Sequence, residues 1–249
     1  MLPENPSWED FRKLDEYKTM VETNRYLPIG YDKENSSVYG LDLVNTYCYL
    51  ISGTPKQDRI NMLKNIISAA KDINGEIVII DFLGELIELS TSIGARYISN
   101  INELEDYIVP LYIGRKEKKN ELLLQELGPE ETFEKMQIYD KTFVFVSDLP
   151  SFLLEVEKTN RSSGINGLWE KGSLYNIYWF ASLDPNEKKN ISPLYTFKSF
   201  TKYKDGVHFG GKAESIIYLS FDYLTYPQRA KEEKQILVGC QIIIMMILT

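Results

Sequence analysis

Runs of apolar residues alternate with amphipathic stretches along most of the chain. The runs at 76–82 and 142–146 are almost wholly apolar, which is typical of strands covered on both faces in a parallel sheet. Further strands are predicted at 26–32, 38–43, just before Gly53, and at 175–182 and 216–220. Strands that alternate with helices favour right-handed crossover connections. We therefore predict an α/β fold with a mostly parallel central sheet flanked by helices.

Spacing and capping residues predict the helices. Residues 7–25 place apolar side chains at three-residue intervals and should be helical. Asn100 followed by Glu103 resembles a capping box that starts a long helical region, with breaks expected at Pro110 and at Gly128-Pro129. The helix after Gly53 carries one apolar stripe that should pack on the sheet: Met62, Leu63, Ile66, Ile67 and Ala70.

The segment between the Gly53 strand and this helix has the layout of a phosphate-binding loop, G-x-x-x-x-G-K-[ST]. Only its first glycine, Gly53, matches; Asp58, Arg59 and Ile60 stand where the pattern has glycine, lysine and a hydroxyl residue. One matching glycine is also compatible with an ordinary strand-turn-helix. The full segment is Gly53-Thr54-Pro55-Lys56-Gln57-Asp58-Arg59-Ile60.

The three replacements are expected to weaken nucleotide binding. The Asp58 carboxylate would oppose a phosphate about 4 Å away by roughly 4 kcal/mol at an effective dielectric of about 20. Arg59 keeps a positive charge but spreads it over a planar fork, and Ile60 offers no oxygen to Mg²⁺. The segment could hold ATP weakly, with little or no dependence on Mg²⁺, but metal-assisted hydrolysis is not expected. We therefore predict no catalytic residue and no metal ligand.

Charge and rare residues exclude several function classes. A net charge of −8 and a pI near 4.9 argue against a surface that tracks nucleic acid. The one dense basic run, 115–119, is expected to be the solvated face of a helix. Cys48 and Cys240 have no metal-site spacing and form no convincing disulfide framework, which fits a reducing compartment. His208 is the sole histidine, which excludes a metal site built from several histidines.

Five phrases carry a resemblance to a known family. LPIGYD with VYGLDL, the SGTP loop, VIIDF, FVFVSDLPSFL and GVHFGGKAESIIYLSFDYLTYPQRAK occur in the order seen in the FtsK/SpoIIIE class of P-loop ATPases. The match covers roughly residues 26 to 231 and is most similar to the last ATPase domain of the EssC-type coupling ATPases of type VII secretion in Firmicutes. The resemblance implies a P-loop NTPase fold of the RecA/FtsK-like kind.

The family pattern also indicates which catalytic groups are missing. Its acidic Asp-Glu pair, which holds Mg²⁺ and activates water, falls on Ser147 and Asp148. Ser147 lacks a carboxylate, and Asp148 is one methylene shorter than glutamate. The polar sensor falls near Leu183, and Arg161 is a candidate remnant of a basic residue in that region. Three parts of the phosphoryl-transfer machinery are thus altered together.

The ends of the chain suggest how it is organised. We predict a helical extension at 1–25, one degenerate ATPase domain at 26–235 and an aberrant tail at 236–249. The opening residues read like a cut inside a longer protein. The tail departs from the family pattern, and one reverse translation read in another frame gives a polar, Gly/Asn-rich segment, so a frameshift is one explanation. If the tail is natural, its Ile and Met residues would form a strand or fray.

The resemblance implies a cytoplasmic domain of a cell-membrane protein, preceded by active ATPase domains in the same chain, and it suggests a hexamer in the parent assembly. The leading hypothesis is a domain that recognises small helical WXG-type secreted substrates or regulates its neighbours, with little or no hydrolysis. A slow or partner-activated ATPase is the alternative. A DNA translocase is a third reading that the acidic charge disfavours, and no nucleic acid is expected as a partner.

Overall fold

A computed structural model describes residues 7–32, 37–169, 172–212, 215–221, 233–238 and 241–244. In this part of the chain ten strands form one sheet with the order β2-β1-β10-β9-β8-β3-β7-β6-β4-β5. The strands are β1 (Tyr26–Asp32), β2 (Ser37–Asp42), β3 (Cys48–Gly53), β4 (Glu76–Ile80), β5 (Arg96–Ile98), β6 (Thr142–Val146), β7 (Ile177–Leu183), β8 (Gly206–Gly211), β9 (Glu233–Val238) and β10 (Gln241–Ile244).

Helices cover both faces of the sheet. They are α1 (Trp8–Lys13), α2 (Asp15–Thr23), α3 (Lys56–Asp72), α4 (Ile87–Ile93), α5 (Ile101–Leu123), α6 (Pro129–Met136), α7 (Leu149–Lys158), α8 (Ser162–Trp169), α9 (Lys188–Ile191) and α10 (Tyr195–Phe200), with a short 3₁₀ helix at Gly172–Tyr175. One apolar core lies between α1 to α3 and the sheet. A second lies on the opposite face beneath α5, α7, α8 and α10.

The six strands from β8 to β5 run parallel to one another, whereas β8 pairs with β9 in the antiparallel direction. This confirms the predicted α/β class and its mostly parallel central sheet. β3 lies between β8 and β7, and β7 separates it from β6. The carboxyl ends of these parallel strands meet at one edge, which brings the predicted loop and the altered acidic pair to the same side of the sheet.

Four details differ from the sequence-based expectations. Residues 216–220 form a turn and not a strand; the parallel strand is the preceding, glycine-rich β8. α5 continues through Pro110, whose exposed ring lies on the solvent side. The helix predicted at 7–25 is divided into α1 and α2 by Leu14, which has an extended backbone. The basic run is only partly solvated, because Arg115 and Lys119 are buried.

Candidate functional site

The segment predicted as a phosphate-binding loop is mostly helical. α3 begins at Lys56, so five of the eight positions, Lys56 to Ile60, lie in its first turns. Gly53 ends β3, and only Thr54 and Pro55 connect the strand to the helix. The N-cap residue Pro55 makes no capping bond through its side chain. A phosphate cradle needs several backbone N–H groups that wrap around the anion. The connection between β3 and α3 is shorter than the four residues that separate the two glycines of the pattern, so it offers fewer free N–H groups to a phosphate.

Arg59 fills the space between the strand ends. Its side chain is buried, and Nη1 donates to the carbonyl oxygens of Gly53 and of Thr54, the latter at 3.1 Å. Nε donates to the Ser182 hydroxyl at 3.1 Å, and the guanidinium lies 3.6 Å from an Asp184 oxygen. The guanidinium therefore turns inward and ties the end of β3 to the end of β7.

Carboxylates surround this arginine. Burial lowers the pKa of Arg59, while the charges of Asp184, then Asp148, then Glu85 act in the opposite direction. Lys56, the other cation of the segment, pairs with Glu85. Because an arginine remains charged in proteins, its pairing with acids offsets part of the cost of burial. Both cations of the segment are thus engaged with groups of the chain itself.

Gly53 is required by a close approach of two backbones. It pairs with Phe209 of β8, and a Cβ built on Gly53 would lie 2.6 Å from the Phe209 Cβ. The other predicted positions carry no ligand geometry: Gln57 bonds Asn61 at 2.8 Å, and Ile60 packs against the core on the α3 side. Asp58 is half-buried in the first turn of α3.

Ser147 and Asp148 follow β6, at the place of the family's acidic pair. Ser147 donates to an Asp81 oxygen at 2.8 Å, and Asp148 caps α7 by accepting from the Ser151 N–H at 2.9 Å. Asp81, at the end of β4, is itself saturated: it accepts from three backbone N–H groups and from the hydroxyls of Tyr97 and Ser147. The Ser147 hydroxyl and the Asp81 carboxylate are thus engaged with each other, and one Asp148 oxygen is engaged in the helix cap.

The residues at the end of β7 and just after it have two different roles. Leu183 is buried in the apolar core, whereas Ser182 and Asp184 on either side of it contact Arg59. The sequence analysis considered Leu183 and missed both neighbours. Their polar side chains at the end of an apolar strand were the feature that could have indicated a site there. Arg161 takes no part in these contacts. Its guanidinium pairs with Glu105 of α5 at 2.6 Å.

A buried polar chain lies beneath the site. His208 Nδ1 is 3.2 Å from the Ser52 hydroxyl, which is 2.8 Å from the Tyr218 hydroxyl. Burial lowers the pKa of His208 to about 4. The interior therefore holds the neutral imidazole, and this network connects β3, β8 and the turn at 215–221.

Replacing His208 with asparagine is expected to change how stability depends on pH. The unfolded chain takes up a proton near pH 6.5 and the folded chain only near 4, so the wild type loses stability as pH falls through this window. The loss should reach about 2 kcal/mol by pH 4.5 and be absent in the variant, as measured by urea unfolding at pH 7 and 4.5. Asp205, whose pKa burial raises to about 6, acts in the opposite direction in both proteins and cancels in the comparison. Parallel pH profiles would contradict this assignment.

Two negative findings apply to the part of the chain that the structure describes. No three His, Cys, Asp or Glu side chains are grouped so as to hold a metal ion. Among the same residues, no helix combines the length and apolar character needed to cross a membrane.

No protein-family model matches the chain, and no curated protein sequence does. Solved structures do. The cytoplasmic domain of EssC matches with a TM-score of 0.75 at 15% identity, over 98% of this chain and 47% of that one. The pCW3 conjugation coupling protein TcpA, in its monomer form with ATPγS, matches with 0.64 at 13% identity, over 88% of this chain and 62% of that one.

EccC, the type VII secretion ATPase of Thermomonospora curvata, matches in two structures. Its cytoplasmic domain gives a TM-score of 0.64 at 14% identity over 100% of this chain and 28% of that one. Its ATPases 2 and 3, in complex with a signal sequence peptide, give 0.58 at 15% identity over 88% and 39%. The chain spans less than half the length of these EssC and EccC chains. It therefore has the FtsK/SpoIIIE-like P-loop ATPase fold, the fold of the EssC and EccC cytoplasmic ATPase domains.

Proposed function

We propose that this chain is an ATPase-fold domain of a type VII secretion motor protein, which recognises export substrates or regulates adjoining ATPase domains with little or no ATP hydrolysis. The fold supports the motor family, since EssC and EccC are matched over nearly the whole chain. The matched chains are longer than this one, and the EccC structure with a signal sequence peptide contains ATPases 2 and 3. This proposal includes preceding ATPase domains in the same chain, a hexameric assembly and a cytoplasmic position on a membrane protein.

The position of Arg59 is the observation that carries the catalytic half of the proposal. Its guanidinium is bonded to the Gly53 and Thr54 carbonyls, where a nucleotide loop would present N–H groups to phosphate. Mg²⁺ prefers oxygen ligands, but Ile60 supplies none and Ser147 is bonded to Asp81. The residues present therefore do not fit a Mg²⁺-nucleotide, and the proposal includes no hydrolytic step.

A domain of this fold without hydrolysis can serve in recognition or in regulation of its neighbours, and one comparison favours recognition. EccC was solved with a signal sequence peptide, which supports peptide recognition within this fold. Small helical WXG-type substrates are the partners that we propose. Acidic charge over the chain gives no support to a nucleic-acid partner.

Titration of a fluorescent ATP analogue is expected to show no saturable binding below the millimolar range, with or without Mg²⁺, and no phosphate release. The reason is that the anion would have to displace a guanidinium held by Gly53, Thr54 and Ser182. The matched control is the triple variant Asp58→Gly, Arg59→Lys, Ile60→Thr, which restores the three pattern residues and should bind more tightly than the wild type.

The assay is repeated with the preceding ATPase domain present. Micromolar, Mg²⁺-dependent binding accompanied by turnover in either experiment would replace this proposal with that of a weak or partner-activated ATPase. Equal, millimolar binding by the wild type and the triple variant would mean that the altered residues are not what prevents binding.

A further inference from the structure

The connection from β7 to β8 carries an unbalanced positive charge. Residues 188–204 include five lysines and no acidic residue, although the whole chain has a net charge of −8, so the rest of the chain carries −13. This connection contains α9 and α10 and covers β3 on the face of the sheet opposite α3. We call residues 188–204 the lysine crossover. Its lysines are Lys188, Lys189, Lys198, Lys202 and Lys204.

The domain does not neutralise the lysine crossover. Four of the five lysines are exposed, and among the described residues none of the five lies within ion-pair distance of a carboxylate. Lys188 lies 4.9 Å from the centre of the Tyr218 ring, and Lys202 lies 5.5 Å from that of Tyr203. Exposed charges act over about 8 Å at physiological ionic strength. Neighbouring lysines of this surface therefore attract an acidic partner together.

Exposed apolar and aromatic side chains accompany the lysines. Tyr195, at the start of α10, is 64% exposed, and Tyr203 is 42% exposed. Ile217 is 69% exposed in the turn after β8, whose Ser220 N–H donates to the Lys204 carbonyl at 3.0 Å. Large exposed side chains of this kind within a charged surface are typical of protein–protein interfaces.

The end of α5 and most of α6 carry the opposite charge. Residues 120–134 contain five glutamates and no cation, and all five glutamates are exposed. Glu121 and Glu130 each form an ion pair at 3.0 Å, with Lys118 and Arg25. The others have no ion pair among the described residues. We call residues 120–134 the acidic corner; its unpaired acids are Glu126, Glu131 and Glu134.

The two surfaces are complementary but lie apart on one molecule. Leu123 and Leu124, 49% and 86% exposed, give the acidic corner apolar side chains that match the exposed tyrosines of the lysine crossover. The corner follows Arg115, which fastens α5 to the starts of β6 and β7, whereas the crossover covers β3. No ion pair among the described residues joins the two surfaces. Each surface therefore finds its complement on another copy of the chain.

We propose that the lysine crossover of one copy binds the acidic corner of a second copy. Because the contact uses two different surfaces, every bound copy leaves one surface of each kind free, so the contact can repeat around a ring. This inference rests on the hexameric assembly of the proposed function and assigns particular surfaces to it. It is independent of whether nucleotide binds at Gly53.

Sedimentation equilibrium of the chain tests whether it self-associates through charge. In about 50 mM salt the weight-average mass should rise with protein concentration above the monomer mass of 28.9 kDa, and in about 500 mM salt it should return to that value. Lys198→Glu and Glu134→Lys should each weaken the association at least about fivefold. Circular dichroism verifies that both variants are folded.

Matched controls reverse a charge outside both surfaces. Lys64→Glu on α3 and Glu88→Lys on α4 change the net charge by the same amounts at exposed positions. Each should leave the association within about twofold of the wild type. Leu124→Ser, which removes an exposed apolar group without changing charge, should weaken the association, whereas Leu83→Ser, at an exposed position outside both surfaces, should not.

A charge exchange tests that the two surfaces bind each other. One chain has the four exposed lysines of the crossover replaced by glutamate, and a second has the glutamates of the acidic corner other than Glu130 replaced by lysine. Each chain alone should remain monomeric, because its two surfaces then carry charge of the same sign. An equimolar mixture should associate again, because the intact acidic corner of the first chain meets the intact lysine crossover of the second.

Four results would overturn the proposal: a wild type that stays monomeric at every concentration in low salt, association that salt does not weaken, equal losses in the control variants, or a mixture of the exchanged chains that stays monomeric. A symmetric dimer that the charge variants leave intact would do so too. The nucleotide titration concerns a different part of the domain. Failure here therefore removes the assigned surfaces and leaves the catalytic conclusion in place.

Discussion

Replacing Arg115 with methionine is expected to lower the free energy of unfolding by about 3–5 kcal/mol. The guanidinium donates to the carbonyl oxygens of Tyr175 and Asn176, both at 2.9 Å, and of Asp140 at 2.8 Å. It also donates to the Thr142 hydroxyl at 3.0 Å. The variant would leave these buried acceptors without this donor, and α5 would lose its attachment to the starts of β6 and β7. Urea unfolding measures the change.

Lys116→Met is the matched control for this experiment, since it removes a cation from the next residue of the same helix at an exposed position. Its effect should stay within about 0.5 kcal/mol. If the two variants lose equal stability, the Arg115 bonds contribute nothing specific.

Replacing Gly53 with alanine should destabilise the domain by about 2–3 kcal/mol through overpacking. The new Cβ would lie 2.6 Å from the Phe209 Cβ and 3.0 Å from the Phe209 carbonyl oxygen, so β3 and β8 must move apart. Thermal or urea unfolding measures the loss. Gly114→Ala is the control, because it enters open space in a helix and should stabilise slightly. A Gly53 variant as stable as the wild type would show that the strands separate at no cost.

The central strands were predictable because a strand that is buried on both faces appears in the sequence as an uninterrupted apolar run. Every residue from Ile77 to Ile80 and from Thr142 to Val146 is buried, so these runs can be recognised without knowing which strands lie beside them. β8 was missed for the opposite reason. It is rich in glycine, which has low strand propensity, and it is held by pairing with β3 and by contacts that admit no side chain at Gly206.

The sequence predicted which residue types occupy the site, but not which residues contact one another there. The missing pattern residues at Asp58, Arg59 and Ile60 are visible in the sequence. The inward turn of Arg59 is not, because Ser182 lies 123 positions away along the chain. The same applies to Arg115, whose acceptors lie 25 to 61 residues later. Spacing along a helix shows which residues share a face, but not which face meets distant carbonyl groups.

The Arg59 contacts have a mechanical consequence. β3 and β7 are paired as far as Ser52 and Leu183, and the Arg59 side chain adds bonds between the two strands at this end. If the domain binds no nucleotide, as we propose, these bonds are made at folding and are not exchanged in a catalytic cycle. In the motor assembly of that proposal, such a domain would serve as a stator, a fixed frame against which the movements of the other ATPase units are transmitted.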